Sequence, residues 1–105
     1  LRRCEVWWAA LPLPAGRRPV VLLSRDEAYA VRAQVTVAPV TTNRRRIPVE
    51  VDLDPDDGLP KKCVVNLDSI VTIPKSHLEQ CIALLRPEKV QQIEEALRFA
   101  LGMSE

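Results

Sequence analysis

The chain has 105 residues, enough for one domain and too few for two ordinary ones. Hydrophobic residues at 47% and charged residues at 28% exclude wholesale disorder, and nine Pro against three Gly argue against both a helical bundle and a Gly-rich linker. The net charge of +1 hides an asymmetry: residues 1–50 carry nine Arg against four acids, and residues 51–105 carry six basic residues against ten acids.

In chain order, Cys4 to Ala10 is an apolar run with Val and two Trp, and it reads as the first strand. Leu11 to Arg18 holds two Pro and a Gly and reads as a loop, with Arg17 and Arg18 at its far end. Pro19 to Ser24 is a continuous apolar run, the pattern of a strand buried on both faces, with Pro19 expected to open it. Arg25 to Arg32 suits a short helical turn. Gln34 to Thr41 is β-branched and strand-like, with Pro39 suggesting an edge or a bulge. Thr42 to Arg46 is a polar, Arg-rich turn. Pro48 to Leu53 alternates with period two, so one face is expected to be wet. Asp54 to Pro60 is a loop. Cys63 to Asp68 begins another strand, continuing or bending into Ser69 to Ile73, and Ile82 to Leu85 suits one last short strand.

The final segment has a different period. Pro87 fits a first helical turn, Glu88 suits its positive end, and Gly102 supplies a stop. Val90, Ile93, Leu97, Ala100 and Leu101 form an apolar stripe, with Glu94, Glu95 and Arg98 on the other face. Short strands, Pro-rich turns and one terminal helix predict a single mainly β domain over residues 1–105, an open barrel carrying a C-terminal helix.

No apolar run approaches the roughly 18 residues of a membrane span, so no membrane association is expected. No secretory leader pattern opens the chain, and because it begins at Leu1 and not Met, a residue or more is expected ahead of it. Three widely spaced Cys, at 4, 63 and 81, form no C-x-x-C, favour a reducing compartment, and are expected to be small buried hydrophobes. His77 is the only His and reads as a surface residue, so neither a metal site nor a Ser–His–Asp triad is expected. The Arg-only basic half suits an anion, because a guanidinium fork matches phosphate; scattered, solvated side chains would give the same count.

Five segments in order resemble one family. Arg3-Cys4-Glu5-Val6-Trp7-Trp8, Arg18-Pro19-Val20-Val21-Leu22-Leu23-Ser24 and Val37-Ala38-Pro39-Val40-Thr41-Thr42 resemble the opening blocks of the MazF/PemK toxins. Gly58-Leu59-Pro60 to Val64-Val65-Asn66-Leu67-Asp68 with Val71-Thr72-Ile73 resembles their second block, and the terminal helix matches too. The resemblance spans residues 3 to 102. Cys4 departs from it, standing where the family has Gly, the residue that freely reaches positive φ.

The resemblance implies an SH3-like (CcdB/MazF/PemK) open barrel and a sequence-specific, metal-independent endoribonuclease. It implies a homodimer in the cytoplasm, silenced by a partly disordered antitoxin, with no cofactor. Cleavage of single-stranded RNA would leave a 2′,3′-cyclic phosphate and a 5′-hydroxyl. On the family motif, the catalytic candidates are Arg18, Thr41 and Asp68. Arg18 would clamp the scissile phosphate, Thr41 would hold a phosphate oxygen, and Asp68 would move a proton; an end-of-strand cap or an ion pair would equally explain Asp68. Arg17, Ser24, Thr42, Asn43, Arg44 and Arg45 are placed to meet RNA, with Asn66 and Ser69 beside them. One of Trp7 and Trp8 is expected in the core, the other flanking the groove or a dimer contact. Two rival readings are a CcdB-like gyrase poison, whose C-terminal Trp-Gly-Ile is missing here, and a catalytically inert RNA-binding barrel.

Overall fold

A computed structural model describes residues 1–103; Ser104 and Glu105, the last two residues of the expected 1–105 domain, lie outside the described residues. The strands are β1 (Glu5–Ala10), β2 (Arg17–Leu22), β3 (Gln34–Thr41), β4 (Glu50–Leu53), β5 (Cys63–Asn66), β6 (Val71–Pro74) and β7 (Leu78–Leu84), with helices α1 (Ala28–Val31) and α2 (Pro87–Ala100). All strand pairs are antiparallel, in the order β4-β5-β3-β2-β1-β7, with β6 also paired to β3. The sheet is an open barrel: β4 and β7 lie at opposite ends of the strand order and do not pair, and α2 packs against β4 and the turn at Leu67–Ser69.

The apolar run in β2 is buried on both faces. Val21 joins one core cluster with Val6, Val40, Val65 and Ile93, while Val20 and Leu22 join a second with Val35, Val37 and Ile73. That is the physical content of a continuous apolar strand between two cores. β4 alternates as expected, with Val51 and Leu53 buried and Asp52 exposed.

Several expectations are corrected. Pro19 does not open its strand: β2 begins two residues earlier, because Ala9 and Ala10 supply partners for Arg18 and Arg17. β3 pairs with β2 only from Val20 onward, so at Pro19 one side has no ladder to interrupt. Pro39 lies on a central strand, not an edge. β3 pairs with β6 over Gln34 to Val37 and with β5 at Val40 and Thr41, and Pro39 falls between, where its missing N–H breaks neither ladder. The strand at Cys63 ends at Asn66 and gives way to a 3-10 turn over Leu67–Ser69. The last strand is longer than its apolar stretch, because an edge strand paired only to β1 tolerates exposed Glu79, Gln80 and Cys81. In α2, Ile93 and Ala96 are the buried positions, whereas Leu101 is 53% exposed beyond the helix end.

The Asp54–Pro60 loop is built to hold α2. Asp54 and Asp57 form a reciprocal cap, and the buried Asp57 carboxylate accepts a hydrogen bond from Arg86 at 3.2 Å, with Lys89 Nζ at 3.9 Å. Gly58 follows at φ +95°, and a Cβ there would lie 2.8 Å from Ala83 Cβ. Only glycine suits both the left-handed turn and that approach.

Cys4 keeps a glycine-like backbone, at φ +69°. Its backbone N–H donates to Leu22 O at 2.8 Å and its carbonyl accepts from Leu85 N, so the ends of β2 and β7 impose the conformation. A non-glycine residue there costs roughly 1–2 kcal/mol, offset in part by burial of the side chain.

The three Cys are not alike. Cys4 is buried, Cys63 half-buried and Cys81 exposed, so only the first is the expected core hydrophobe. Burial pushes the Cys63 thiol up to about 11 and the Cys4 thiol above its ordinary value. The Cys81 thiol is raised as well, chiefly by partial burial, so what sets Cys81 apart is access to solvent. Brief alkylation at pH 8 should therefore yield one adduct, at Cys81 by peptide mass mapping; first labelling at Cys4 would contradict the packing.

Candidate functional site

Three chain segments converge on an open cleft of about 410 Å³, lined by Pro14, Ala15, Arg18, Pro39, Thr41, Asn43, Arg45, Asn66 and Ser69. Three of its polar side chains, those of Arg18, Thr41 and Asn66, are held locally. Arg18 is half-buried near the start of β2, and its Nε donates to Ala15 O at 2.9 Å. That bond leaves the terminal nitrogens of the fork as donors. Thr41 ends β3, where its Oγ1 accepts the Asn43 N–H at 3.1 Å and starts the turn that follows. Asn66, 9% exposed, uses its side-chain oxygen to accept the Asp68 N–H at 2.9 Å. Its amide N–H groups are the polar capacity that remains.

The Arg-rich turn is organised by a residue the sequence did not single out. Glu50 Oε1 accepts the N–H groups of Arg45 and Arg46, each at 2.9 Å. Arg46 takes φ +58° at that point. The carboxylate thus binds the backbone of the turn and not its side chains. An acid four or five residues after an Arg run was the available signal. Ala15, whose carbonyl anchors Arg18, could not have been found from its residue type.

The structure sorts the expected residues. Arg18, Thr41, Asn43, Arg45, Asn66 and Ser69 meet in the cleft. Arg44 and Thr42 line a separate concavity of about 280 Å³ with Asp52, Asp54, Lys62 and Cys63, where Arg44 donates to Asp52 at 2.9 Å. Thr41 and Thr42 also border a small apolar notch against Trp8 and Pro19, so the concavities share walls. Arg17 turns away, with its Nε 2.6 Å from a Glu79 oxygen and its guanidinium 4.4 Å from the Trp8 ring centroid.

Ser24 lies beyond the other end of β2. Its Oγ accepts the Thr36 N–H at 2.9 Å and its carbonyl accepts the Tyr29 hydroxyl, so its polar groups serve the fold. Asp68 is exposed and does not line the cleft, because the 3-10 turn carries it outward between Asn66 and Ser69. Trp7 packs on the second core with its indole N–H donating to Glu5 at 3.0 Å, and Trp8 is half-buried beneath Arg17. His77 is exposed, as expected.

Among the described residues, neither Arg18 nor Arg45 pairs with a carboxylate, while Arg3, Arg17 and Arg44 pair with Glu94, Glu79 and Asp52. No three His, Cys, Asp or Glu side chains converge among the described residues to hold a metal ion. The cleft presents two cations with no carboxylate partner among the described residues, two hydroxyls and two amides, a donor set for a phosphodiester and for base edges.

Comparison with known proteins gives the same direction. The sequence model of a family described as PemK-like, MazF-like toxin of type II toxin-antitoxin system matches residues 2–101. Among curated proteins, the chain is 39% identical over 103 residues to the probable endoribonuclease MazF5 of Mycobacterium tuberculosis, covering 97% of this chain and 94% of that protein. Among solved structures, the Mycobacterium tuberculosis toxin MazF-mt6 superposes with a TM-score of 0.88 at 32% identity, covering 96% of this chain and 99% of that one. An endoribonuclease from a mycobacterial species, solved with its cognate antitoxin, superposes with a TM-score of 0.89 at 30% identity, covering 100% and 98%.

Proposed function

This chain belongs to the PemK-like, MazF-like toxin family of type II toxin–antitoxin systems and is an endoribonuclease toxin of it, and we propose that it cleaves single-stranded RNA in the cleft joining Arg18 to Arg45. The observation that carries this reading is the pair of guanidinium groups that meet no carboxylate among the described residues, beside Thr41, Asn43, Asn66 and Ser69.

The reaction is an internal transesterification. The ribose 2′-oxygen forms a bond to its own phosphorus and loses its proton, while the bond from phosphorus to the 5′-oxygen breaks and that oxygen gains a proton. The products are a 2′,3′-cyclic phosphate and a 5′-hydroxyl, with no water consumed. Negative charge gathers on the phosphoryl oxygens at the transition state. Arg18 is the group to meet it, since its fork is rigidly based on β2 and bonded to Ala15. Thr41 gives a second donor, its hydroxyl, to the same oxygens. Asn43, Asn66 and Ser69 face the bases and sugars, and Arg45 holds a flanking phosphate. Charge stabilisation by guanidinium makes this a metal-independent scheme.

Two partners complete the reading. A homodimer is the expected assembly, and an antitoxin segment that is acidic, partly apolar and disordered when free is the expected inhibitor, competing with RNA by charge complementarity. No helix among the described residues is long and apolar enough to cross a membrane, and the cytoplasm is the proposed site of action, where RNA is met.

The test is incubation of the purified protein with a long, mixed-sequence RNA in a chelator, followed by mapping of 5′-hydroxyl ends. Discrete 5′-hydroxyl ends at a common short sequence are expected; intact RNA, or ends bearing 5′-phosphate, would contradict the reading. Arg45→Ala should raise the apparent Kd and flatten its log–log salt dependence by about 0.7 per lost phosphate contact. A filter-binding series at several salt concentrations measures both.

A further inference from the structure

Arg17 sits next to Arg18 in β2, yet only Arg18 reaches the cleft. Successive side chains on a strand take opposite faces, so placing one fork inward sends the other outward. Outside, Arg17 is held from two directions: its guanidinium lies over the Trp8 ring at 4.4 Å and its Nε donates to Glu79 at 2.6 Å.

Glu79 reaches that point because β7 is bulged. Trp8 pairs with Gln80, but the next residue of β1, Ala9, pairs with Leu78. One step on β1 takes two on β7, and Glu79 is the extra residue. Such a bulge re-aims a side chain. The three groups therefore tie β1, β2 and β7 together at the end of β2 that carries Arg18.

That end needs a tie. β3 pairs with β2 only over Val20 to Leu22, so Arg17, Arg18 and Pro19 are laddered on the β1 side alone. An isolated exposed ion pair adds little, but here the aromatic face restricts the same guanidinium. We propose that Arg17 is a positioning residue for Arg18: the Trp8–Arg17–Glu79 clasp braces the one-sided start of β2, so that the Arg18 fork keeps its angle in the cleft. This rests on the reading of Arg18 as the phosphate clamp, and it replaces the expectation that Arg17 itself holds RNA.

Glu79 separates the two roles by sign. If Arg17 bound phosphate, Glu79 would compete with RNA, and Glu79→Gln would tighten binding. If Arg17 positions Arg18, Glu79→Gln loosens the clasp and slows cleavage. The experiment is single-turnover cleavage of one defined RNA at saturation, beside binding of the same RNA with a 2′-deoxy nucleotide at the cleavage site, at two salt concentrations. The proteins are wild type, Arg17→Ala, Arg17→Lys, Glu79→Gln and Arg18→Ala, each checked for its fold by circular dichroism.

Arg17→Ala is expected to lower the saturated rate about tenfold, as a misplaced clamp does, with Kd and its salt slope unchanged. Glu79→Gln should move the rate the same way by less, and Arg17→Lys should recover part of it, since an ammonium keeps its charge over the ring. Arg18→Ala at the wild-type rate would remove the clamp and this proposal with it. An impaired Arg18→Ala beside fully active Arg17→Ala and Glu79→Gln would overturn the positioning role alone. A flattened salt slope in Arg17→Ala, with tighter binding by Glu79→Gln, would make Arg17 an RNA contact and overturn it as well. Should Arg17→Ala fail to fold, Glu79→Gln decides by the same signs.

Discussion

Arg18→Ala should lower the saturated cleavage rate by about 10²–10³, the usual loss for one preorganised donor to a developing oxyanion. It should change RNA affinity far less, because the phosphate carries more charge on its equatorial oxygens at the transition state than in the ground state. The placement of Arg18 motivates the size of the effect. The base of the fork is fixed by the Ala15 carbonyl, and its terminal nitrogens meet no carboxylate among the described residues. Arg18→Lys should recover little, since an ammonium cannot make the bidentate contact. Thr41→Ala should cost less, roughly 0.5–1.5 kcal/mol for one neutral hydrogen bond. Its hydroxyl also accepts the Asn43 N–H, so part of that loss would come through the turn. Single-turnover rates at saturating RNA read both variants directly. A near wild-type rate for Arg18→Ala would shift the charge stabilisation to Arg45.

Ile93→Ala should destabilise the fold by about 2–5 kcal/mol, the range for removing a large buried aliphatic side chain. Ile93 is fully buried and joins α2 to Val6, Val21, Val40 and Val65 of the first core cluster. The tie to the site is short: Val40 precedes Thr41 in β3, and Val65 precedes Asn66 in β5. A cavity under Ile93 therefore lies beneath two of the cleft strands. Ala96 cannot compensate, being small already. Urea unfolding should show a lower midpoint with an unchanged slope. A loss under 1 kcal/mol would mean that α2 contributes little to the core. Phe99→Ala, on a side chain 53% exposed, serves as the comparison and should stay within about 0.5 kcal/mol.

The sequence by itself determined the order of the elements. Local signals were strong wherever one residue type leaves few options. The Pro-rich stretch at Leu11 to Pro14 separated β1 from β2. Asp54 to Gly58 formed a capped turn, and Pro87 with the apolar period of α2 bounded the helix. The five collinear family motifs then fixed the barrel, since a pattern spread over the chain holds even where single boundaries slip. Arg18, Thr41, Asn43, Arg45, Asn66 and Ser69 were all legible, and they meet in one cleft.

Boundaries that depend on a pairing partner were not legible. Pro19 and Pro39 are tolerated inside strands because the neighbouring ladders stop or change beside them, which no local rule contains. β7 carries exposed polar residues along an edge, so its apolar signal covered only part of its length.

Tertiary structure also decided which basic residues are available. An Arg-rich half and an acid-rich half look like an anion-binding surface facing an acidic one. Folding instead brings Arg3 to Glu94, Arg17 to Glu79 and Arg44 to Asp52, partners 91, 62 and 8 residues away. Those pairs spend most of the asymmetry across the fold. Among the described residues, Arg18 and Arg45 meet no carboxylate because β2 and the turn after β3 point them into the same cleft, while Glu50 is occupied by backbone N–H groups. Charge count is a property of the chain, but free charge depends on which side chains meet in space.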